Sequence, residues 1–347
     1  MRFRMSVRGW LSIITLILLA VVVILAWPEI VKAWYLFDQV DPWILLLLIP
    51  VQLFSYYATG GMIFSYLRSK GDLKDMSHWR MARIALELNF VNHVLPSGGV
   101  AGFSYMGWVL SKHKVSVGRS AMSQIVRFML TFLSFILILI VAVVMLIVDH
   151  KIDRVILLLS ILLAVLSIGV TIGGIVLIAN KRRLESFSSW LTKVSNKVVR
   201  FVTRGRKKNI VKIATFLTFF SDLHDDYLAI RRDRRILIRP FIWAILANLA
   251  DVALIWISFW ALGFTVNPAL LFVAFGLASL AGALAFTPGG AGVYETIMIT
   301  FLASGQVPAN VAIAGTLLAR VTLVLGTVLF GYLFYQFTVL KYGKRTS

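Results

Sequence analysis

Long apolar stretches recur along this entire sequence. They fall at residues 10–27, 42–67, 84–110, 120–148, 155–180, 240–262, 269–304 and 310–338. About 20 such residues in an α-helix span the hydrocarbon core of a bilayer. Of the 347 residues only 14% are charged, whereas about 25% is usual for a soluble domain. We therefore predict an all-α polytopic membrane protein, which excludes a soluble enzyme, a disordered protein and a nucleic-acid-binding module.

Two of the stretches are interrupted near the middle by proline and glycine. The sequence LPSGG at 95–99 divides the stretch 84–110, and TPGG at 287–290 divides the stretch 269–304. Proline lacks a backbone donor and glycine has a low helix propensity, so each stretch is expected to form two half-helices joined by irregular backbone. Each pair of half-helices is predicted to be re-entrant, entering and leaving the membrane on one side.

The distribution of lysine and arginine supports this topology. If both pairs are re-entrant and the N-terminus is inside, the cytoplasmic segments contain 29 of the 35 basic residues and the outer loops contain three. Cytoplasmic loops of membrane proteins carry such an excess. The sequence thus predicts about six full spans, two re-entrant pairs, and cytoplasmic N- and C-termini in a multi-pass protein of the cell membrane.

The interrupted stretches belong to an internal repeat. Pro96 precedes Arg127 by 31 residues, and Pro288 precedes Arg320 by 32 residues. Each unit has the order span, re-entrant pair, span, and the units have opposite orientations, an architecture that transporters use for alternating access. A single membrane domain, 1–347, is predicted to divide as follows: first span and outer loop 1–41, first unit 42–148, span with basic amphipathic cytoplasmic linker 149–239, second unit 240–338, and cytoplasmic tail 339–347.

The interruptions and the two arginines are the candidate functional residues. The N-terminus of a half-helix inside the membrane attracts anions, phosphate included, and an arginine there is costly unless it faces the interior. The candidate lipid-binding residues are Asn92, Pro96, Gly98, Gly99, Arg127, Pro288, Gly289, Gly290, Glu295 and Arg320. Two alternatives remain open at this point. The arginines could form structural ion pairs with Glu87, Asp251 or Glu295, and the interruptions could be packing kinks.

These motifs also resemble a known family. The segment 92–99 with Arg127, and the segment 288–295 with Arg320, resemble the flippase-like membrane region of lysylphosphatidylglycerol synthases, the multiple peptide resistance factor family. The resemblance covers essentially the whole chain and implies a membrane protein that moves a lipid between leaflets. The aminoacyl-transferase domain of those enzymes has no counterpart here, so lysyl transfer is not expected. Members often carry an arginine soon after the first glycine pair, where this chain has the sequence GFS at 102–104, so the same lipid head group does not follow from the resemblance.

The preferred hypothesis is a translocase for an anionic or phosphate-bearing lipid, without catalytic activity, metal or other cofactor. The chain has no cysteine, and its five histidines lack metal-ligand spacing. One alternative is a polyprenyl-phosphate-dependent glycosyltransferase, which would use Asp38 and Asp41, although Asp41 followed by Pro42 is also an ordinary helix start. The other is a non-transporting partner of a lipid-modifying enzyme. Membrane lipids are the expected partners.

Overall fold

The fold consists of helices throughout the part of the chain that the structure describes. The computed structural model describes residues 40–94, 100–149, 154–180, 213–284 and 290–342, together with residues 31, 183, 186 and 189. The first helices are α1 (Pro42–Leu46), α2 (Leu48–Ser69), α3 (His78–Val94), α4 (Val100–Ser111) and α5 (Val117–Val148). They are followed by α6 (Arg154–Ala179), α7 (Ile213–Arg232), α8 (Ile238–Ala261), α9 (Pro268–Leu284), α10 (Val293–Ser304) and α11 (Ala309–Tyr342), with a 3-10 turn at Arg234–Leu237.

The predicted all-α polytopic membrane architecture is confirmed. Five helical segments among the described residues are long and apolar enough to cross a bilayer: Pro42–Ser69, Val117–Val148, Ile156–Val176, Arg234–Ala261 and Ala309–Tyr342. The predicted first span at 10–27 lies outside the described residues, as does the part of the predicted amphipathic linker at 181–212 apart from residues 183, 186 and 189.

The two predicted units contain matching series of helices. In the first unit, α2 to α5 have 22, 17, 12 and 32 residues. In the second unit, α8 to α11 have 24, 17, 12 and 34 residues. Arg127 is the eleventh residue of α5 and Arg320 is the twelfth residue of α11. The two arginines therefore lie within one residue of the same place in their units.

Helices α2 and α8 are antiparallel, which fixes the relative direction of the two units. The backbone nitrogen of Asp41, just before α1, donates to the carbonyl of Ala261 at the end of α8 over 2.8 Å. Towards their other ends, the rings of Tyr57 and Trp243 meet edge to face with centroids 5.3 Å apart. The first helix of one unit thus runs against the first helix of the other, as the inverted repeat requires.

In each unit the two short helices form a hairpin that begins and ends at one end of the bundle. Asp72, before α3, forms an ion pair of 3.1 Å with Arg119, after α4. In the second unit Gly305, after α10, lies against Leu270 in the first turn of α9, so closely that a Cβ on the glycine would be 2.7 Å from the leucine side chain. Helices α4 and α10, with 12 residues each, are about 18 Å long, well short of a bilayer core of about 30 Å.

The two hairpins open at opposite ends of the molecule. The first opens at the end where most described lysines and arginines outside the helix centres lie, formed by the turns 70–77, 112–116 and 233–237, and we call this the basic end. The second opens at the end formed by residues 262–267 and 305–308, where Asn267 donates to Asp149 over 2.8 Å.

A separate apolar core surrounds each hairpin. Tyr66, Phe90 and Met106 are fully buried in the core of the first hairpin. Phe259 and Leu271 are fully buried in the core of the second. Burial of this kind accounts for the stability of the hairpins, because half-length helices gain little from isolated helix formation.

One helix begins earlier than the apolar pattern suggests. The stretch that starts at residue 84 in the sequence belongs to a helix that starts at His78. The hydroxyl of Ser77 accepts a hydrogen bond of 3.3 Å from the backbone nitrogen of Arg80. This side chain caps the helix, so the helix extends through polar residues that hydropathy assigns to a loop.

Candidate functional site

The arginine of the second unit is neutralised by the turn of its own hairpin. The Nε atom of Arg320 lies 2.8 Å from a carboxylate oxygen of Glu295. The guanidinium also lies over the ring of Tyr294, 4.7 Å from its centroid. Both partners lie in the first turn of α10, directly after the proline-glycine segment. Arg320 therefore forms a structural ion pair with Glu295, which is one of the two alternatives that the sequence left open.

Glu295 also holds the backbone of that turn. Its second carboxylate oxygen accepts a hydrogen bond of 2.6 Å from the backbone nitrogen of Gly292, which has a φ of 84°. Gly290 has a φ of 74°, and a Cβ there would lie 2.6 Å from the Cα of Gly282. Only glycine combines this conformation with such a close approach of two backbones. Pro288 and Gly289 lie outside the described residues, as do Pro96, Gly98 and Gly99.

The arginine of the first unit has no such carboxylate partner among the described residues. The guanidinium of Arg127 lies over the ring of Phe128, 4.3 Å from the centroid. That ring stacks on Phe103 in the first turn of α4, with centroids 5.7 Å apart and an interplanar angle of 7°. Arg127 forms no ion pair with any described carboxylate, and its Nε atom is buried without a hydrogen-bond partner in the part of the chain that the structure describes.

The difference between the units comes from one position. The third residue of α10 is Glu295, whereas the third residue of α4 is Gly102. The space beside Gly102 is filled by Asn92, because a Cβ on the glycine would overlap the asparagine side chain. The Oδ1 atom of Asn92 is buried, and no described residue donates to it. Among the described residues, the first unit therefore has polar atoms without a bonded partner where the second has an ion pair.

The two supporting carboxylates proposed from the sequence have other partners. Glu87 is fully buried and accepts from Arg83 at 3.2 Å, from Tyr105 at 2.5 Å and from Thr338 at 2.7 Å. These bonds join α3, α4 and α11. Glu87 therefore stabilises the first hairpin and does not neutralise Arg127.

Asp251 lies between the two units on α8. Its carboxylate accepts from Ser55 of α2 over 2.5 Å and forms no ion pair with any described cation. Asp251 therefore joins α8 of the second unit to α2 of the first.

Polar contacts of α8 also reach the first arginine. Asn248, one turn before Asp251, donates to the hydroxyl of Ser134 at 2.7 Å and to the carbonyl of Thr131 at 3.1 Å. The hydroxyl of Thr131 donates to the carbonyl of Arg127 at 2.8 Å. Polar residues inside a membrane bundle generally mark a pathway or a structural network. Here Asn248 joins α8 to the turn of α5 that follows Arg127, and Asp251, one turn further along, joins α8 to α2.

One acidic residue of α7 is buried. Asp226 is 6% exposed and lies 3.6 Å from Lys70 and 3.7 Å from Arg119. It is buried because α7 packs against α5 and the end of α2 at the basic end. Its spacing of three residues from the buried Leu223 was the available signal.

Asp41 has a structural role at the start of α1. Its carboxylate accepts from the backbone nitrogens of Trp43 at 2.8 Å and Ile44 at 3.3 Å, which is ordinary N-capping. Asp38 lies outside the described residues. The geometry of Asp41 therefore supports an ordinary helix start and adds no support to the glycosyltransferase hypothesis.

Comparison with known proteins gives one family and one relative. The family model of the lysylphosphatidylglycerol synthase TM region matches residues 10–331. A UPF0104 membrane protein from Methanocaldococcus jannaschii is 25% identical over 247 residues, which is 70% of this chain and 70% of the relative.

Proposed function

Since this chain belongs to the family of the lysylphosphatidylglycerol synthase transmembrane region, we propose that it moves an anionic, phosphate-bearing lipid between the two leaflets of the cell membrane. The observation that carries the proposal is Arg127 of the first unit, a cation that forms no ion pair with any described carboxylate. Arg127 lies about 15 Å along α5 from the basic end, with a buried Nε atom to which no described group is bonded. A buried cation without a partner is unfavourable, so a ligand that supplies an anion explains its presence better than packing does.

The guanidinium suits a lipid phosphate in particular. Arginine presents two parallel N–H donors that match the oxygens of a phosphate, whereas lysine offers a single point charge. In this proposal Arg127 binds the phosphate, Asn92 lies beside the first turn, and Glu295 with Arg320 holds the second turn in place. Asn248 and Asp251 on α8 supply polar groups inside the bundle between the two units.

The architecture is consistent with alternating access. Inverted units with broken helices are found in transporters whose site lies near the membrane centre. We infer that both hairpins are re-entrant and that the basic end faces the cytoplasm, with both termini there, because cytoplasmic loops carry the excess of lysine and arginine. Membrane lipids are the proposed partners, and no catalytic step or cofactor is assigned.

Reconstitution into vesicles tests this function. The full chain is placed in liposomes containing a trace of phosphatidylglycerol with a fluorescent acyl chain, and dithionite is added outside to quench the outer leaflet. We expect the protected fluorescence to decline in vesicles that contain the protein and to persist in protein-free vesicles. Fluorescent phosphatidylcholine serves as the matched zwitterionic probe, and it should move more slowly because it carries no net negative charge.

Two results would contradict the proposal. If neither probe moves faster than in protein-free vesicles, the chain does not translocate lipid, and the hypothesis of a non-transporting membrane partner would replace it. If both probes move at the same rate, the anionic selectivity assigned to Arg127 is wrong.

A further inference from the structure

A cavity of about 650 Å³ opens at the basic end, apart from both arginine sites. It lies between the last turns of α2, the first turns of α3 and the start of α8, including the 3-10 turn before it. Two adjacent glycines form part of its wall. A Cβ on Gly61 would lie 2.6 Å from the ring of Trp243, and one on Gly60 would lie 2.8 Å from Ala85. Helix α2 therefore approaches α3 and α8 closely at these glycines, and the cavity lies beside these contacts.

The polar part of the lining is strongly cationic. Its charged residues are Arg68, Arg235, Arg239 and Asp233. None of the three arginines forms an ion pair with a described carboxylate. Asp233 is engaged by its own turn, because one of its oxygens accepts from the backbone nitrogen of Arg235 over 3.0 Å. Within the part of the chain that the structure describes, the cavity therefore presents an excess of positive charge without ion-pair partners.

Hydrogen bonds orient the deepest of these cations. One terminal nitrogen of Arg68 donates to the carbonyl of Met76 over 2.6 Å, and the other lies 3.4 Å from Nε2 of His78. Because a guanidinium can only donate, Nε2 accepts and Nδ1 of His78 donates to the hydroxyl of Tyr57, 3.1 Å away. The hydroxyl of Tyr57 accepts this bond, so its own hydrogen can be donated to another acceptor. The Nε atom of Arg68 is buried without a partner among the described residues.

The rest of the lining is apolar and continues onto the outer face of the bundle. Phe64, Met81 and Trp243 line the cavity. Ile238 also lines it and is 55% exposed, and Ile242, one turn further along α8, is 51% exposed. Exposed isoleucines one turn apart on a membrane helix face acyl chains. The cavity therefore borders both the aqueous side of the basic end and the bilayer.

We propose that this cavity binds the phosphate head group of an anionic lipid from the leaflet at the basic end, with the acyl chains against Ile238 and Ile242. Three arginines and the Tyr57 hydroxyl supply donors for the phosphate oxygens, and the apolar border distinguishes a lipid from free phosphate. As a binding site the cavity does not depend on transport. Its use as the first site that a translocated lipid occupies rests on the proposed function.

Photo-crosslinking with a phosphatidylglycerol that carries a diazirine on its head group tests this site in the full chain. Peptides that cover the cavity, at residues 57–82 and 233–243, should be labelled. The double variant Arg235→Gln/Arg239→Gln removes two exposed cations and should lower this labelling at least about tenfold, as expected for two arginines near a phosphate. Arg231→Gln/Arg232→Gln is the matched control, since it removes two exposed arginines of α7 that do not line the cavity, and it should keep the labelling.

Competition separates the two sources of phosphate. Unlabelled phosphatidylglycerol should displace the probe, whereas glycerol 3-phosphate and phosphatidylcholine should not. If the two double variants lose labelling equally, the lipid is attracted to the basic surface in general, and the proposed site is wrong. Displacement by glycerol 3-phosphate as efficient as by the lipid would overturn the assignment to a lipid. Because labelling is read at equilibrium, a protein that binds here but moves no lipid in vesicles would refute the proposed function and leave this site intact.

Discussion

The Glu295–Arg320 pair allows the sharpest test of how the second hairpin is held together. Glu295→Gln removes the negative charge while keeping the size of the side chain. It leaves the guanidinium of Arg320 buried, with its Nε atom facing an amide in place of a carboxylate 2.8 Å away. Arg320→Gln does the reverse and leaves the carboxylate with the backbone of Gly292 as a remaining donor.

The expected magnitude follows from the burial of both partners. The side chains of Arg320 and Glu295 are 15% and 9% exposed, so water compensates little for a lost partner. Breaking a buried pair by removing one member costs about 3–5 kcal/mol. We expect each single variant to lose stability in that range. The double variant Glu295→Gln/Arg320→Gln should lose less than the sum by about 2 kcal/mol or more, since it leaves no buried charge.

The free energy of unfolding is measured by titrating the protein with sodium dodecyl sulfate in mixed micelles while following helix content by circular dichroism. Arg127→Gln is the internal comparison, because this arginine forms no ion pair with a described carboxylate. It should lose little stability or gain some. The reasoning is refuted if Glu295→Gln costs under about 1 kcal/mol and the effects in the double variant simply add.

Three other predictions concern the hairpins. Gly290→Ala places a Cβ 2.6 Å from backbone at a φ of 74° and should lower the free energy of unfolding by about 1–3 kcal/mol, whereas Gly107→Ala, where a Cβ meets nothing within 4 Å, should not lower it. Gly102→Ala should destabilise the protein through overlap with Asn92, and the second change Asn92→Ala should restore most of the loss; an unrestored double variant would contradict the packing described. Because the chain has no cysteine, single cysteines can report sidedness to a membrane-impermeant maleimide in oriented vesicles. Cysteines at the exposed positions Lys74 and Lys112, at the basic end, should react from one side of the membrane. Cysteines at the exposed positions Thr265 and Asn310, at the other end, should react from the opposite side. Any exchange between the pairs would disprove a re-entrant hairpin.

The short-range features of the fold could be predicted from the sequence because they depend on local chemistry. Proline and glycine at the centre of an apolar stretch end a helix wherever they occur. At the second interruption, Gly290 and Gly292 have φ values of 74° and 84°, outside the helical region, and α10 begins directly after them at Val293. The start of α3 was missed because Ser77 caps it through a side-chain bond, which a hydropathy pattern does not reveal.

The partners of the charged residues could not be predicted, because they depend on how distant helices meet. Glu87 has its three donors on α3, α4 and α11, and no spacing along the chain indicates that combination. The sequence suggested equivalent roles for Arg127 and Arg320. The structure distinguishes them, since Glu295 on α10 reaches Arg320 while Gly102, at the same position of α4, supplies no charge.

The separation of activity from stability at Arg127 tests the central claim most directly. Wild type, Arg127→Gln, Arg127→Lys and the control Arg154→Gln, which changes an arginine exposed at the start of α6, are reconstituted at equal density and assayed for translocation of fluorescent phosphatidylglycerol. We expect wild-type rates for the control and partial activity for lysine, because the charge remains without the bidentate geometry. For glutamine we expect loss of translocation, while the free energy of unfolding falls little or rises. Translocation by Arg127→Gln at the wild-type rate would contradict the account, because the unpaired cation would then have no part in moving the lipid.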